Sequence, residues 1–230
     1  TPANGRTIVV DWHGTGEYTT IQAALDASVS GDTIIVLPST GSPAGAYVGN
    51  IIFPARAVTL RSFNPQDPAI VASTVLDANQ GGRVVTFAEG ASAETRLDGF
   101  TIRNGDTGVS GGGVYCNSSS PTIANCTITE NDASTGGGGI YCGSSSSPTI
   151  INCTITGNNH GGIYCSSSSP TITNCTITGN VASVNGGGVY CSSSSPTIAN
   201  CTIVENIAPS GAGVYCGSSS SPTIANCTIT

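Results

Sequence analysis

The sequence predicts an all-β fold, a parallel solenoid of three short strands per coil with an amphipathic helix over its N-terminal end. Three observations carry this. From Gly111 onward one phrase is written five times: GGGVYCNSSSPTIANCTITEN, GGGIYCGSSSSPTIINCTITGN, GGIYCSSSSPTITNCTITGN, GGGVYCSSSSPTIANCTIVEN and GAGVYCGSSSSPTIANCTIT. Its tyrosine-cysteine pairs put Cys116, Cys142, Cys165, Cys191 and Cys216 at spacings of 26, 23, 26 and 25 residues. A fixed period of that size marks stacked units that cannot bury their apolar faces alone. Within each copy the apolar residues alternate at period two, which strands require and helices do not produce.

From the N-terminus, Thr7 to Val10 (TIVV) reads as a first strand and Asp11 to Glu17 as a loop. Thr19-Thr20-Ile21-Gln22 has the form of a capping box ahead of Ile21, Ala24, Leu25 and Val29 at helical spacing, and Gly31 ends that helix. Its apolar face suits the open end of the first coil, where unpaired strand edges would otherwise recruit other chains. Strands follow at Thr33 to Leu37, Ile51 to Phe53, Val58 to Arg61, Thr74 to Leu76 and Val84 to Phe87, with long proline-bearing connections between them. The expected organisation is therefore one continuous domain in three parts: 1–32 (strand and capping helix), 33–110 (irregular coils) and 111–230 (regular repeats).

In each repeat Val114 and Cys116 should share the inner face, with Tyr115 outside. The serine run forms a polar turn, and the proline after it sits at the first residue of the next strand, where a sheet tolerates one. Ile123, Cys126 and Ile128 should point inward if Asn125 turns a corner. The segment Leu97–Asn104 overlays Ile123–Glu130, and Val85–Phe87 overlays Val114–Cys116, with phenylalanine at both cysteine positions (Phe87 and Phe100). That joint exchange is expected of two inward positions sharing one layer of core.

Composition narrows the function classes. The net charge is −7, lysine is absent, and all six basic residues are arginines between Arg6 and Arg103. This argues against binding nucleic acid or anionic membrane, and no apolar run is long enough to span a bilayer. Ten cysteines, all in the repeats, favour an oxidising compartment. A chain that starts at Thr1 without methionine reads as a processed form or a fragment, secreted or on the cell surface.

The run YTTIQAALDAS, GDTIIVLP and VTLRS, followed by LDGFTIRNG and the GGGVYC and SPTIANCTIT copies, resembles the right-handed parallel β-helix proteins of the pectate-lyase-like superfamily. More narrowly, it is similar to the multi-copy secreted and surface β-helix proteins of environmental bacteria. The resemblance spans nearly the whole chain and implies the fold. Polysaccharide lyases, hydrolases, methylesterases and adhesins share that fold. The acidic calcium ligands and basic catalytic residue of the lyases find no match here. Gly111 to Thr230 holds only Glu130, Asp132 and Glu205 as acids and no arginine. Asp67, Asp77, Asp98, Arg61, Arg83, Arg96 and Arg103 form no motif of the family.

The cysteines allow three readings. One disulfide per coil would pair Cys116 with Cys126, Cys142 with Cys153, Cys165 with Cys175, Cys191 with Cys201 and Cys216 with Cys227, each worth about 3 kcal/mol in the chain-entropy model. Alternatively they are free-thiol ladders serving as apolar filler, or metal ligands, for which histidine partners are missing. Tyr115, Tyr141, Tyr164, Tyr190 and Tyr215 should stack on an outer face, as a simple stabilising ladder or as a contact for sugar rings or a neighbouring solenoid. Asn125, Asn152, Asn174, Asn200 and Asn226 should form a corner ladder of hydrogen bonds. His13 and His160 read as isolated surface residues, although Asp11, His13 and Glu17 are close enough in sequence to meet.

These features predict a non-catalytic extracellular structural protein that needs no cofactor or metal. It would self-associate end to end into a fibre or surface layer, with Thr7, Ile8, Val9 and Val10 of one molecule pairing with Cys227, Thr228, Ile229 and Thr230 of the next. The competing expectation is a carbohydrate-active enzyme or polysaccharide-binding adhesin.

Overall fold

The computed structural model describes residues 5–230; the first four residues of the expected 1–32 segment lie outside the described residues. Three parallel sheets run the length of a solenoid. Nine strands form wall A, from Thr7–Val10 to Thr223–Ala225; eight form wall B, from Tyr47–Val48 to Thr228–Ile229; seven form wall C, from Ile51–Phe53 to Val214–Cys216. Each repeat supplies one strand to each wall, as Val114–Asn117 (wall C), Thr122–Ala124 (wall A) and Thr127–Thr129 (wall B) do.

Register is kept residue for residue. Tyr115 pairs with Tyr141 and Cys116 with Cys142, Ile123 with Ile150, and Ile128 with Ile155. The overlay with the preceding coil also holds, because Phe87 pairs with Cys116 and Leu97 with Ile123. Phe53 and Phe87 stack at 4.5 Å between centroids, and Phe100 is fully buried, so one layer of aromatic core replaces two columns of smaller cysteine. The corner at Asn125 is a left-handed turn with φ of 52°, repeated at Asn152, Asn174, Asn200 and Asn226, a conformation that asparagine enters more readily than most residues.

Helix α1 (Ile21–Ala27) is capped by the Thr20 side chain, which accepts from the Ala23 N–H, and it buries Ile21, Ala24 and Leu25. It packs on the first strands of walls A and C, which is the covering role its apolar face predicts. A second helix, α2 (Pro68–Ser73), lies in a connection read as irregular from the sequence. Its signal was present: Asp67 caps the Ala69 N–H and Pro68 stands at the first helical position.

The polar ladder that the core depends on is not the one expected at the corners. At the corners, Asn125 donates to Asp98, and Asn152 donates to Asn125 at 3.2 Å. The buried ladder is Asn131, Asn158, Asn180 and Asn206, the residue that closes each TEN, TGN or VEN triplet. Asn180 is fully buried; its Nδ2 donates to Asn206 Oδ1 and Ile155 O at 2.9 Å, and its Oδ1 accepts from the backbone N–H and the Nδ2 of Asn158. Each amide closes the turn from wall B toward wall C and satisfies the coil beside it.

Asn180→Ala therefore strands several buried donors and acceptors at once. At about 1–3 kcal/mol per unsatisfied group, urea unfolding should show a loss of about 3 kcal/mol or more. Asn174→Gly, at an exposed left-handed corner, should stay within about 0.5 kcal/mol of the parent.

Candidate functional site

Two columns of cysteine run up the interior, one on wall C (Cys116, Cys142, Cys165, Cys191, Cys216) and one at the A–B corner (Cys126, Cys153, Cys175, Cys201, Cys227). All ten are free thiols, eight of them buried. The within-coil bridges expected from the sequence are not formed, because the serine turn and a whole wall A strand separate the two cysteines of a coil. The sulfur neighbours lie one coil away instead: Cys142 faces Cys165, and Cys153 faces Cys126 and Cys175. The corner thiols donate weakly to the carbonyl two residues back, as Cys126 does to Ala124 at 3.1 Å. Burial pushes the Cys116 thiol above its ordinary range, so it stays protonated and inert to exchange.

Of the charged residues in the irregular coils, Arg103 pairs with Asp77 at 2.9 Å and Arg96 with Asp98 at 2.8 Å. Arg61 donates to the carbonyls of Ser62 and Phe63. These groups neutralise one another or close turns. In the N-terminal loop Asp11 accepts from the Thr15 hydroxyl and from the backbone and ring of His13, while Glu17 turns away to the Val9 N–H. The Thr15 hydroxyl, partly offset by burial and then helped by His13, holds Asp11 down to about 2. The expected triplet is thus a pair that pins a loop. A hollow of about 480 Å³ lies beside it, lined by Trp12, Pro43 and Tyr47. Two of its polar side chains are engaged internally, since the Tyr47 hydroxyl donates to Leu37 O and Gln22 bonds both the N–H and the carbonyl of Ile52, while the Trp12 indole N–H is buried with no partner among the described residues.

The outer face of wall C differs. Tyr115, Tyr141, Tyr164, Tyr190 and Tyr215 form an unbroken half-buried column with centroids 5.2, 5.7, 4.6 and 5.1 Å apart and planes within 17° of parallel. Arg83 lies 3.7 Å over the Tyr115 ring and closes that end. Because the faces of neighbouring rings cover one another, the column offers ring edges and hydroxyls rather than flat platforms. Burial and the adjacent rings raise the Tyr164 phenol above its ordinary value, so it remains a neutral hydroxyl.

A notch opens beside this column, and its origin is a difference in loop length. Between the buried asparagine and the next wall C strand, the loops read DASTGGGG, NHGG, VASVNGGG and IAPSGAG. The second is about half as long as its neighbours, which is why one cysteine spacing is 23. The flanking loops stack outward, Ser134 and Thr135 donating to Thr107 and Val109, and Ala182 and Gly186 to Ile207 and Ser210. Between them the short loop leaves a hollow of about 210 Å³, floored by Tyr164 and Tyr190.

His160 stands in the notch with a left-handed backbone (φ 58°), and its Nδ1 is 2.8 Å from Asp132 Oδ1. Asn159 donates to the other oxygen of Asp132. The Nδ1 contact with a carboxylate makes that nitrogen the donor, and in the neutral ring Nε2 is then the acceptor. The sequence did not reveal this site, since His160 and Asp132 lie 28 residues apart and meet only through coil stacking; the short loop was its one visible trace. The residues expected to make end-to-end contacts lie at the two extremes of the stack, Thr7–Val10 paired to Thr33–Val36 and Thr228–Ile229 to Thr202–Ile203.

Comparison with known proteins adds the family. The right-handed beta helix region family matches residues 62–229, and no curated protein matches. Among solved structures, the pectate lyase Pel9A superposes with a TM-score of 0.61 at 14% identity, over 89% of this chain and 55% of the lyase, so the chain spans little more than half of that enzyme. The pectin methylesterase from carrot superposes at 0.60 with 16% identity, over 99% of this chain and 84% of the esterase. The pectin methylesterase from Aspergillus niger gives 0.54 and 16%, over 99% and 86%. At these identities the likeness is one of fold.

Free-thiol columns predict a specific labelling order. Intact mass after alkylation of the unfolded chain without reductant should show ten adducts. In the folded chain exposed Cys216 should react first, then half-exposed Cys227, and the buried eight only on unfolding. Fewer than ten adducts on the unfolded chain would restore the bridges.

Proposed function

Because the chain belongs to the right-handed β-helix family, we propose that it is an extracellular or cell-surface protein that binds neutral polysaccharide along wall C, without cleaving it. The tyrosine column carries this reading: five phenols held in line by coil stacking, with an open notch beside them. Lines of rigid, part-buried aromatic hydroxyls are suited to polyhydroxylated ligands, since they combine apolar ring edges with hydrogen bonding at little cost in side-chain entropy. The pectin-acting structures that share the fold support a carbohydrate ligand as a class.

Charge supports a neutral one. The repeats hold no arginine or lysine, the chain carries −7 overall, and the only charged partner at the notch is Asp132. A polyanion would meet net repulsion along the column, whose one flanking cation among the described residues, Arg83, sits at the Tyr115 end and is engaged with that ring and the Ser110 carbonyl. Binding fits the site better than bond cleavage, because glycoside hydrolysis uses two carboxylates about 5–9.5 Å apart, and the notch has one. Among the described residues no three histidine, cysteine, aspartate or glutamate side chains gather as a metal set.

Affinity electrophoresis should show the protein retarded by neutral galactomannan or xyloglucan and unaffected by polygalacturonate. The double variant Tyr164→Phe and Tyr190→Phe keeps the stack but removes two hydroxyls. At about 0.5–1.5 kcal/mol per hydrogen bond, it should weaken binding roughly 5- to 100-fold with an unchanged melting temperature. Equal retention of the double variant, or retention by polygalacturonate alone, overturns the reading.

A further inference from the structure

The notch beside Tyr164 and Tyr190 has the dimensions of one missing piece of strand. Neighbouring coils are spaced by about 4.8 Å, so where the short loop fails to reach outward, the backbones of the 134–135 and 183–185 segments stand roughly two spacings apart. That gap admits one layer of matter and no more. The volume agrees. Pockets for drug-sized ligands run about 300–1,000 Å³, so a hollow of about 210 Å³ is of a size for a single ring, with the rest of a chain left outside its open mouth.

Its chemistry is that of a hydroxyl-binding site. His160 is oriented by Asp132 at 2.8 Å, which in the neutral ring leaves Nε2 as an acceptor, while Ser183 and Asn185 supply polar groups on the opposite lip. The floor is aromatic, and the lip carries Val184, which is 66% exposed. Ser134, Thr135, Ala182 and Gly186 direct their N–H groups to the far side, toward Thr107, Val109, Ile207 and Ser210, while Gly137 donates to His160 O and Gly161 to Val181 O and so tie the short loop to its neighbours at the base of the gap.

Resting on the polysaccharide reading above, we propose that this notch is a subsite for a single neutral sugar residue, a chain end or side branch, which inserts as a surrogate rung between the two long loops. His160 Nε2 accepts a hydrogen bond from a sugar hydroxyl, Asp132 acts as the positioning residue for the imidazole, and the edges of Tyr164 and Tyr190 meet the ring's apolar rim. The regular coils on either side lack the subsite because their loops are complete.

The chain has two histidines, so imidazole proton NMR reports on the site with its own control. Cellotetraose, mannotetraose, xylotetraose and galactotetraose are titrated in turn, with trigalacturonate as the anionic probe. At least one neutral tetraose should move the His160 resonance and leave that of His13 in place. Replacing Asn159–Gly162 by the eight residues of the Val181–Gly188 loop fills the notch and should lower affinity for that tetraose at least tenfold. His160→Ala should lower it at least fivefold. If the loop replacement fails to fold, Val184→Trp closes the lip and serves in its place. An unmoved His160 resonance with all four neutral sugars, or full affinity in the filled variants, overturns the subsite. If retardation by polysaccharide persists in that case, wall C binding survives without the subsite; if retardation is absent from the outset, the underlying reading itself has failed.

Discussion

Axial register is the constraint on which the rest of the molecule depends. Each coil must place every inward residue directly over its counterpart, because the backbone bonds of all three walls run from coil to coil and a slip of one residue would turn the whole apolar set outward. The buried asparagines hold that register at the hardest place, the turn out of wall B. There, the side-chain oxygens of Asn131, Asn158, Asn180 and Asn206 each accept from the backbone N–H of the preceding turn, at Gly105, Asn131, Asn158 and Asn180. An amide buried in this way is costly unless every member is paired, and that all-or-none character makes the column specific as well as stable.

Identical residues then follow as a consequence and acquire properties none has alone. A cysteine in one coil is small filler; stacked in two columns, eight of the ten become a shielded row of buried thiols, and only Cys216 and Cys227 at the last coil reach solvent. A tyrosine in one strand is an ordinary surface aromatic. Stacked, it surrenders its faces to its neighbours and presents only its edge and hydroxyl, which shifts the chemistry of wall C from ring stacking toward hydrogen bonding. The irregular coils show the same logic in another form, since Asp77 with Arg103 and Asp98 with Arg96 settle their charges within the wall.

Regularity also explains where function can reside. In a solenoid a site needs a break in the pattern, because a perfect repeat offers the same shallow surface everywhere. The break here is a shortened loop. It costs no wall residue and no core contact, so the stack continues past it while its surface opens. A site made by omission differs from one made by adding residues to a loop.

The sequence by itself determined the coil, the three walls, the inward and outward faces, the helical cap and the tyrosine column, because all of these are periodic and periodicity is legible in one dimension. Local turn chemistry was nearly as clear, as at Asn125 and at the overlooked Asp67-Pro68 start of α2. Only the tertiary structure decided which asparagines are buried, which sulfurs are neighbours, and that His160 meets Asp132. Each of those depends on how far a side chain stands from the axis and on which coil lies next to it, and spacing along the chain records neither distance.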